Sequence, residues 1–96
     1  MNKELFYWKS QRGEEVDFVL RDNLKTKQLI QVCYDMEDYD PRKRELRALV
    51  KASEELKCDD LLVITNDREG EEEVKSRSGK IKKIKYIPIW KWLFKI

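Results

Sequence analysis

The chain has 96 residues, of which 42% are charged and 41% hydrophobic, with a net charge of +2 and no histidine. That length holds one domain, residues 1–96, with a modest core, and ten aromatics (three Trp, four Tyr, three Phe) exclude a disordered polyelectrolyte. Without histidine, Ser/His/Asp hydrolysis, Cys/His proteolysis and ordinary zinc sites are excluded.

Leu5-Phe6-Tyr7-Trp8 reads as an aromatic edge strand. Ser10-Gln11-Arg12-Gly13 is a turn, with Gly13 free to take positive φ. Glu15 to Leu20 follows as the second arm of a hairpin, with Val16, Phe18 and Leu20 expected on one face and Asp17 and Val19 on the other. Residues 21–27 read as a polar connection. Gln28 to Tyr34 is a third strand, with Leu29, Gln31 and Cys33 on one face and Ile30, Val32 and Tyr34 on the other. Both faces are largely apolar, as in a central strand covered on each side.

An acidic loop, Asp35 to Asp40, leads into the clearest helix, residues 41–57. Asp38 or Asp40 would cap it, and Pro41 fits the first turn, where its missing N–H costs nothing. Leu46, Leu49, Val50, Ser53 and Leu56 recur at i, i+3, i+4, i+7 and i+10, with Ala48 and Ala52 on the flank. Leu61 to Thr65 is an apolar strand, so helix and strand together predict a crossover to a parallel neighbour. Residues 66–73 read as an acidic loop around Gly70, without the ordered ligand spacing of a calcium loop. Ile81 to Ile87 forms a last strand, with Ile81 and Lys83 on one face and Ile84 and Tyr86 on the other. Pro88 opens a short helix in which Ile89, Trp92, Leu93 and Ile96 share an apolar face. The element order is therefore βββαββα, an α/β class with a mixed central sheet.

Charge is unevenly placed. Residues 1–74 hold 13 basic and 19 acidic residues, whereas residues 75–96 hold eight basic residues and no acid. Lys75, Arg77, Lys80, Lys82, Lys83 and Lys85 are thus candidates to meet nucleic acid or an acidic partner. Cys33 and Cys58 are 25 positions apart in apolar settings and read as two buried free thiols, which fits a reducing cytoplasm. No signal peptide and no apolar run of membrane-spanning length is present, so no membrane association is expected. No Gly-rich phosphate loop occurs, and no cofactor is expected.

One chemical arrangement remains. Metal-dependent phosphodiester hydrolysis needs two carboxylates converging on a hard cation and a lysine to orient water, and neighbouring strands supply that geometry. The second strand pairs Asp17 with Gln31 and Cys33 where an acid and a lysine are wanted. The run Tyr7-Trp8 through Gly13-Glu14-Glu15-Val16-Asp17-Phe18-Val19 resembles the restriction-endonuclease-like domain at the C-terminal end of many prokaryotic ATPases of the AAA+ type. Leu29 to Tyr34, Arg44 to Leu49, Leu61 to Thr65 and Ile87 to Leu93 extend the resemblance over nearly the whole chain. It implies a restriction-endonuclease-like core in which Asp17 matches the family's Asp, Gln31 stands at the acid and Cys33 at the lysine. A thiol has neither the charge nor the reach of the missing ammonium. Glu4 or Glu15 would have to add a carboxylate, and Lys25 or Lys27 a migrated lysine, to rebuild a site.

The expectation is a catalytically inactive nuclease-like accessory domain that binds no metal, docks beside or regulates an ATPase module, and touches nucleic acid weakly through its basic tail. The alternatives are a divergent metal-dependent nuclease and a pure protein-interaction or homodimerising module. For the last, Phe6, Tyr7, Trp8, Trp90 and Trp92 are the candidate interface residues.

Overall fold

The computed structural model describes residues 3–34 and 39–94. It builds one six-stranded mixed sheet in the order β1-β2-β3-β4-β6-β5, with helix α1 (Tyr39–Leu56) on one face and the short helix α2 (Ile89–Phe94) on the other. The strands are β1 (Lys3–Lys9), β2 (Glu15–Asp22), β3 (Lys25–Val32), β4 (Leu61–Thr65), β5 (Gly70–Lys75) and β6 (Ile81–Pro88). The expected α/β class with a mixed sheet stands, but the order is βββαβββα. The added strand is β5, which lies where residues 66–73 read as a loop. Its Glu71-Glu72-Glu73 run has poor strand propensity. It pairs antiparallel with β6, and the register sets Glu71 opposite Lys85 and Glu73 opposite Lys83. Opposite charges across a strand pair stabilise the ladder, so the partner strand overrides the local preference.

The centre is built as its sequence demands. All five residues of β4 are buried, between parallel neighbours β3 and β6. The β3–α1–β4 unit is the expected crossover. On the α1 face, Leu46, Leu49, Val50 and the flanking Ala48 and Ala52 pack with Val16, Val19, Leu29, Cys33, Leu61, Val63, Ile84 and Tyr86. On the other face, Ile30, Leu62, Ile64 and Ile87 form a smaller cluster under Ile89 and Trp92 of α2. Leu93 is 56% exposed and does not share that face, while Ile96 and the capping Asp38 lie outside the described residues, as do the side chains of Asp40 and Pro41. Among the described residues, no helix is long and apolar enough to cross a membrane.

Two departures concern β2. Residues 21–27 are not a connection: Asp22 pairs with Lys25, and the turn is only Asn23-Leu24, with Asn23 at φ 61°. Asparagine tolerates that left-handed conformation, so a two-residue hairpin closes without glycine. The predicted alternation of Val16, Phe18 and Leu20 also fails. The register jumps from Phe6–Val19 to Trp8–Val16, so two residues, Asp17 and Phe18, face the single Tyr7. That bulge brings Val16 and Val19 to the same face, where both are buried, and leaves Phe18 39% exposed.

The β1–β2 and β5–β6 turns share one construction. Ser10 N–H donates to Glu14 O at 2.8 Å and Gly13 N–H to Ser10 O at 3.1 Å. Ser76 N–H donates to Lys80 O at 2.8 Å and Gly79 N–H to Ser76 O at 3.0 Å. In each, the serine hydroxyl also accepts from the backbone N–H four residues on. Gly13 and Gly79 take φ 88° and 89°, which a side chain would strain.

α1 ends on Lys57 at φ 54°, and Cys58 N–H closes back to Ser53 O at 3.0 Å. This terminus usually carries glycine, because a Cβ in the left-handed region costs roughly 1 kcal/mol. Lys57 is exposed. Lys57→Gly is therefore expected to stabilise the fold by about 1 kcal/mol and to raise the thermal midpoint by roughly 4–8 °C. An unchanged or lower midpoint in a thermal melt would show that the backbone conformation is not the cost.

Candidate functional site

The β2–β3 ladder runs from Asp22–Lys25 to Phe18–Ile30 and there gives way to side chains. Asp17 N–H donates to Gln31 Oε1 at 2.9 Å, and Val32 N–H donates to Asp17 Oδ2 at 2.9 Å. The bulge at Asp17 parts the strands, and the two polar side chains bridge the gap. Gln31 Nε2 donates both to Glu15 O at 2.8 Å and to Glu45 O of α1 at 3.1 Å. Gln31 is 0% exposed. Its one carbonyl and both N–H bonds are spent on main-chain groups of β2 and α1, so a single amide ties β2, β3 and α1 together.

The sequence thus brings Asp17 and Gln31 together as same-site neighbours. Cys33, two positions on, is 5% exposed and packs in the α1-side core, and its N–H donates to Ile64 O at 2.9 Å. Cys33 and Cys58 are both buried and are not joined in a disulfide. Lys25 and Lys27 stand at the far end of β3, and Glu4 pairs in register with Arg21 at the far end of β2. None of them reaches the Asp17–Gln31 junction along the sheet.

Glu15 is close, since its carbonyl accepts from Gln31, but its carboxylate lies 3.9 Å from Lys9 Nζ. A hydrogen bond to Glu15, then burial, pushes the Tyr7 phenol up to about 12. The structure adds a residue that strand reasoning missed, Glu45 of α1. Burial raises its carboxyl above the ordinary value, and the Asp17 carboxylate raises it further. Its signal was its place beside Leu46 on the helix stripe, legible only once α1 is set over β2 and β3. Glu15, Arg44 and Glu45 line a small polar cleft at this end of the sheet.

A hard cation needs several free oxygen donors on one point. The Gln31 oxygen holds an N–H, one Asp17 oxygen holds another, and no ammonium stands at Cys33. Among the described residues, no three His, Cys, Asp or Glu side chains gather as metal ligands. The described residues at this junction do not fit a nuclease metal centre.

The basic tail divides among different environments. Lys82 is buried, with Nζ 2.7 Å from Asp59 Oδ1, and it holds that carboxyl below its ordinary range. Lys83 and Lys85 stand across from Glu73 and Glu71. Lys80 is exposed at the turn, while Lys75 and Arg77 line a groove beside α1. The aromatics divide as well. Trp8 packs on the larger core cluster and Trp92 on the smaller. Phe6, Tyr7 and Trp90 are 40%, 57% and 57% exposed, and the Arg21 guanidinium lies 5.3 Å from the Phe6 ring centre.

No curated protein and no solved structure matches the chain. A family model does match, over residues 1–92, and its description is a domain of unknown function, DUF4143. With the whole sheet, α1 and the first part of α2 inside that match, the chain belongs to the DUF4143 family.

Proposed function

We propose that this is a non-catalytic docking domain with a restriction-endonuclease-like core, working beside an ATPase module. The observation that carries the reading is the bonding of Gln31: three backbone partners fix its amide where hydrolysis would want a free carboxylate. The cysteine in place of the lysine points the same way, because a buried thiol neither orients nor activates water. The link to an AAA+ type ATPase rests on the sequence resemblance. Two buried cysteines that form no disulfide support a reducing compartment such as the cytoplasm.

The test is cleavage of supercoiled plasmid and of labelled single-stranded and duplex oligonucleotides with Mg²⁺ or Mn²⁺. No turnover is expected from the wild-type chain. Cleavage that disappears with Asp17→Asn would overturn the reading and establish a divergent nuclease.

A second reading, self-association, is favoured by one observation. β1 is an edge strand, and Leu5 and Tyr7 on it are 59% and 57% exposed, with Phe18 behind them at 39%. An apolar edge of this kind invites strand pairing.

A further inference from the structure

We infer that the groove along α1, between the two serine-anchored turns, receives an acidic amphipathic peptide segment of a protein partner. This rests on the docking reading and names the chemistry of what docks. The groove encloses about 570 Å³, in the range of built ligand sites. Three separate stretches of chain line it: the β1–β2 turn with Arg12, the exposed side of α1 with Arg42 and Arg47, and the β5–β6 hairpin with Lys75 and Arg77.

Seven Lys or Arg against two Glu leave the lining with five positive charges, whereas the whole chain carries +2. The rest of the protein is therefore net negative, and the positive potential is concentrated at this groove. Both lining glutamates are already engaged. Glu14 Oε1 accepts from Lys51 Nζ at 2.8 Å, which holds the Glu14 carboxyl below its ordinary value, and Glu54 accepts from the Ser78 hydroxyl. The Arg42 Nε atom is buried and has no acceptor among the described residues.

The floor decides between partners. Leu46, Val50 and Val74 contribute aliphatic surface among the cations. A phosphodiester chain would meet the charges and leave that floor unmatched. A helix with leucines along one face and glutamates beside them meets both.

Fluorescence anisotropy with a labelled peptide of two Leu-Glu-Glu-Leu-Leu-Glu-Glu repeats tests this on the full chain. Binding is expected in 50 mM salt and weakens as salt screens the charges. The paired substitution Arg47→Glu and Arg77→Glu, both at exposed positions, is expected to weaken it about tenfold. Arg47→Ala with Arg77→Ala is the milder companion, and urea midpoints report that each variant is folded. Replacing the peptide leucines with serine is also expected to weaken binding about tenfold. Lys27→Glu, at an exposed position on the far end of β3 and outside the groove lining, should leave affinity within about twofold.

Absence of binding at millimolar peptide overturns the proposal, as does indifference to the arginine substitutions or to loss of the leucines. A labelled oligonucleotide that binds more tightly, and loses its affinity with the same arginine changes, would assign the groove to phosphodiester backbones instead. Such a result leaves the non-catalytic reading to the cleavage assay, which turns on Asp17 and not on the groove.

Discussion

Gln31→Leu is expected to lower the unfolding free energy by about 3 kcal/mol, although the replacement is apolar, similar in size and placed in a dry interior. The loss comes from what the amide leaves behind. Asp17 N–H loses its acceptor at 2.9 Å, and Glu15 O and Glu45 O lose donors at 2.8 and 3.1 Å. Each buried polar group without a partner costs about 1–3 kcal/mol, and rearrangement keeps the three from adding in full. Urea denaturation checks this: the midpoint should fall while the slope is kept. A loss below about 1 kcal/mol would mean that water or the main chain replaces the amide without cost. Gln31→Glu sharpens the point, since it turns two donors into lone pairs facing two carbonyls. The introduced carboxyl would have its folded pKa raised above the unfolded value of about 4.3. Its penalty is then present at pH 7 and recedes as pH falls toward 4, because the protonated acid can donate again. The change that restores a metal-binding residue type should thus damage the fold most at neutral pH.

The second large effect belongs to the helix. Leu49 is 0% exposed and lies in the cluster that joins α1 to Val63 of β4 and Ile84 of β6. Leu49→Ala is expected to cost about 3 kcal/mol, from lost burial and from the cavity left under a helix that bridges the sheet. In a domain of this size that is a large part of the total stability of roughly 5–10 kcal/mol. Leu24→Ala makes the contrast: Leu24 is 92% exposed in the β2–β3 turn, and its truncation should change stability by less than about 0.5 kcal/mol. Equal effects at the two leucines in urea denaturation would contradict the packing assignment.

The parts of the fold legible in the sequence are those set by local pattern. The α1 stripe, the apolar run of β4 and the glycine turns at Gly13 and Gly79 carry their own signals over a few residues. Segment β5 does not: three successive glutamates read as a loop, and they become a strand only because Lys83 and Lys85 wait on β6. The bulge at Asp17–Phe18 was equally invisible, since nothing in Val16-Asp17-Phe18-Val19 says that two residues will face one on β1. The site was half legible. The adjacency of β2 and β3 brings Asp17 and Gln31 together, but the third tie, to Glu45 O, depends on where α1 settles. The groove could not be read at all, because its lining is gathered from residues 12–14, 42–54 and 74–77.

The two margins of the sheet are unlike. On one side β1 offers Leu5, Phe6 and Tyr7 to the outside, and on the other β5 ends the sheet with glutamates. A molecule with two greasy margins would polymerise without limit, each copy seeding the next. With only one such margin, any pairing through β1 would stop at two copies, because the glutamate-bearing edge of β5 would not accept a third.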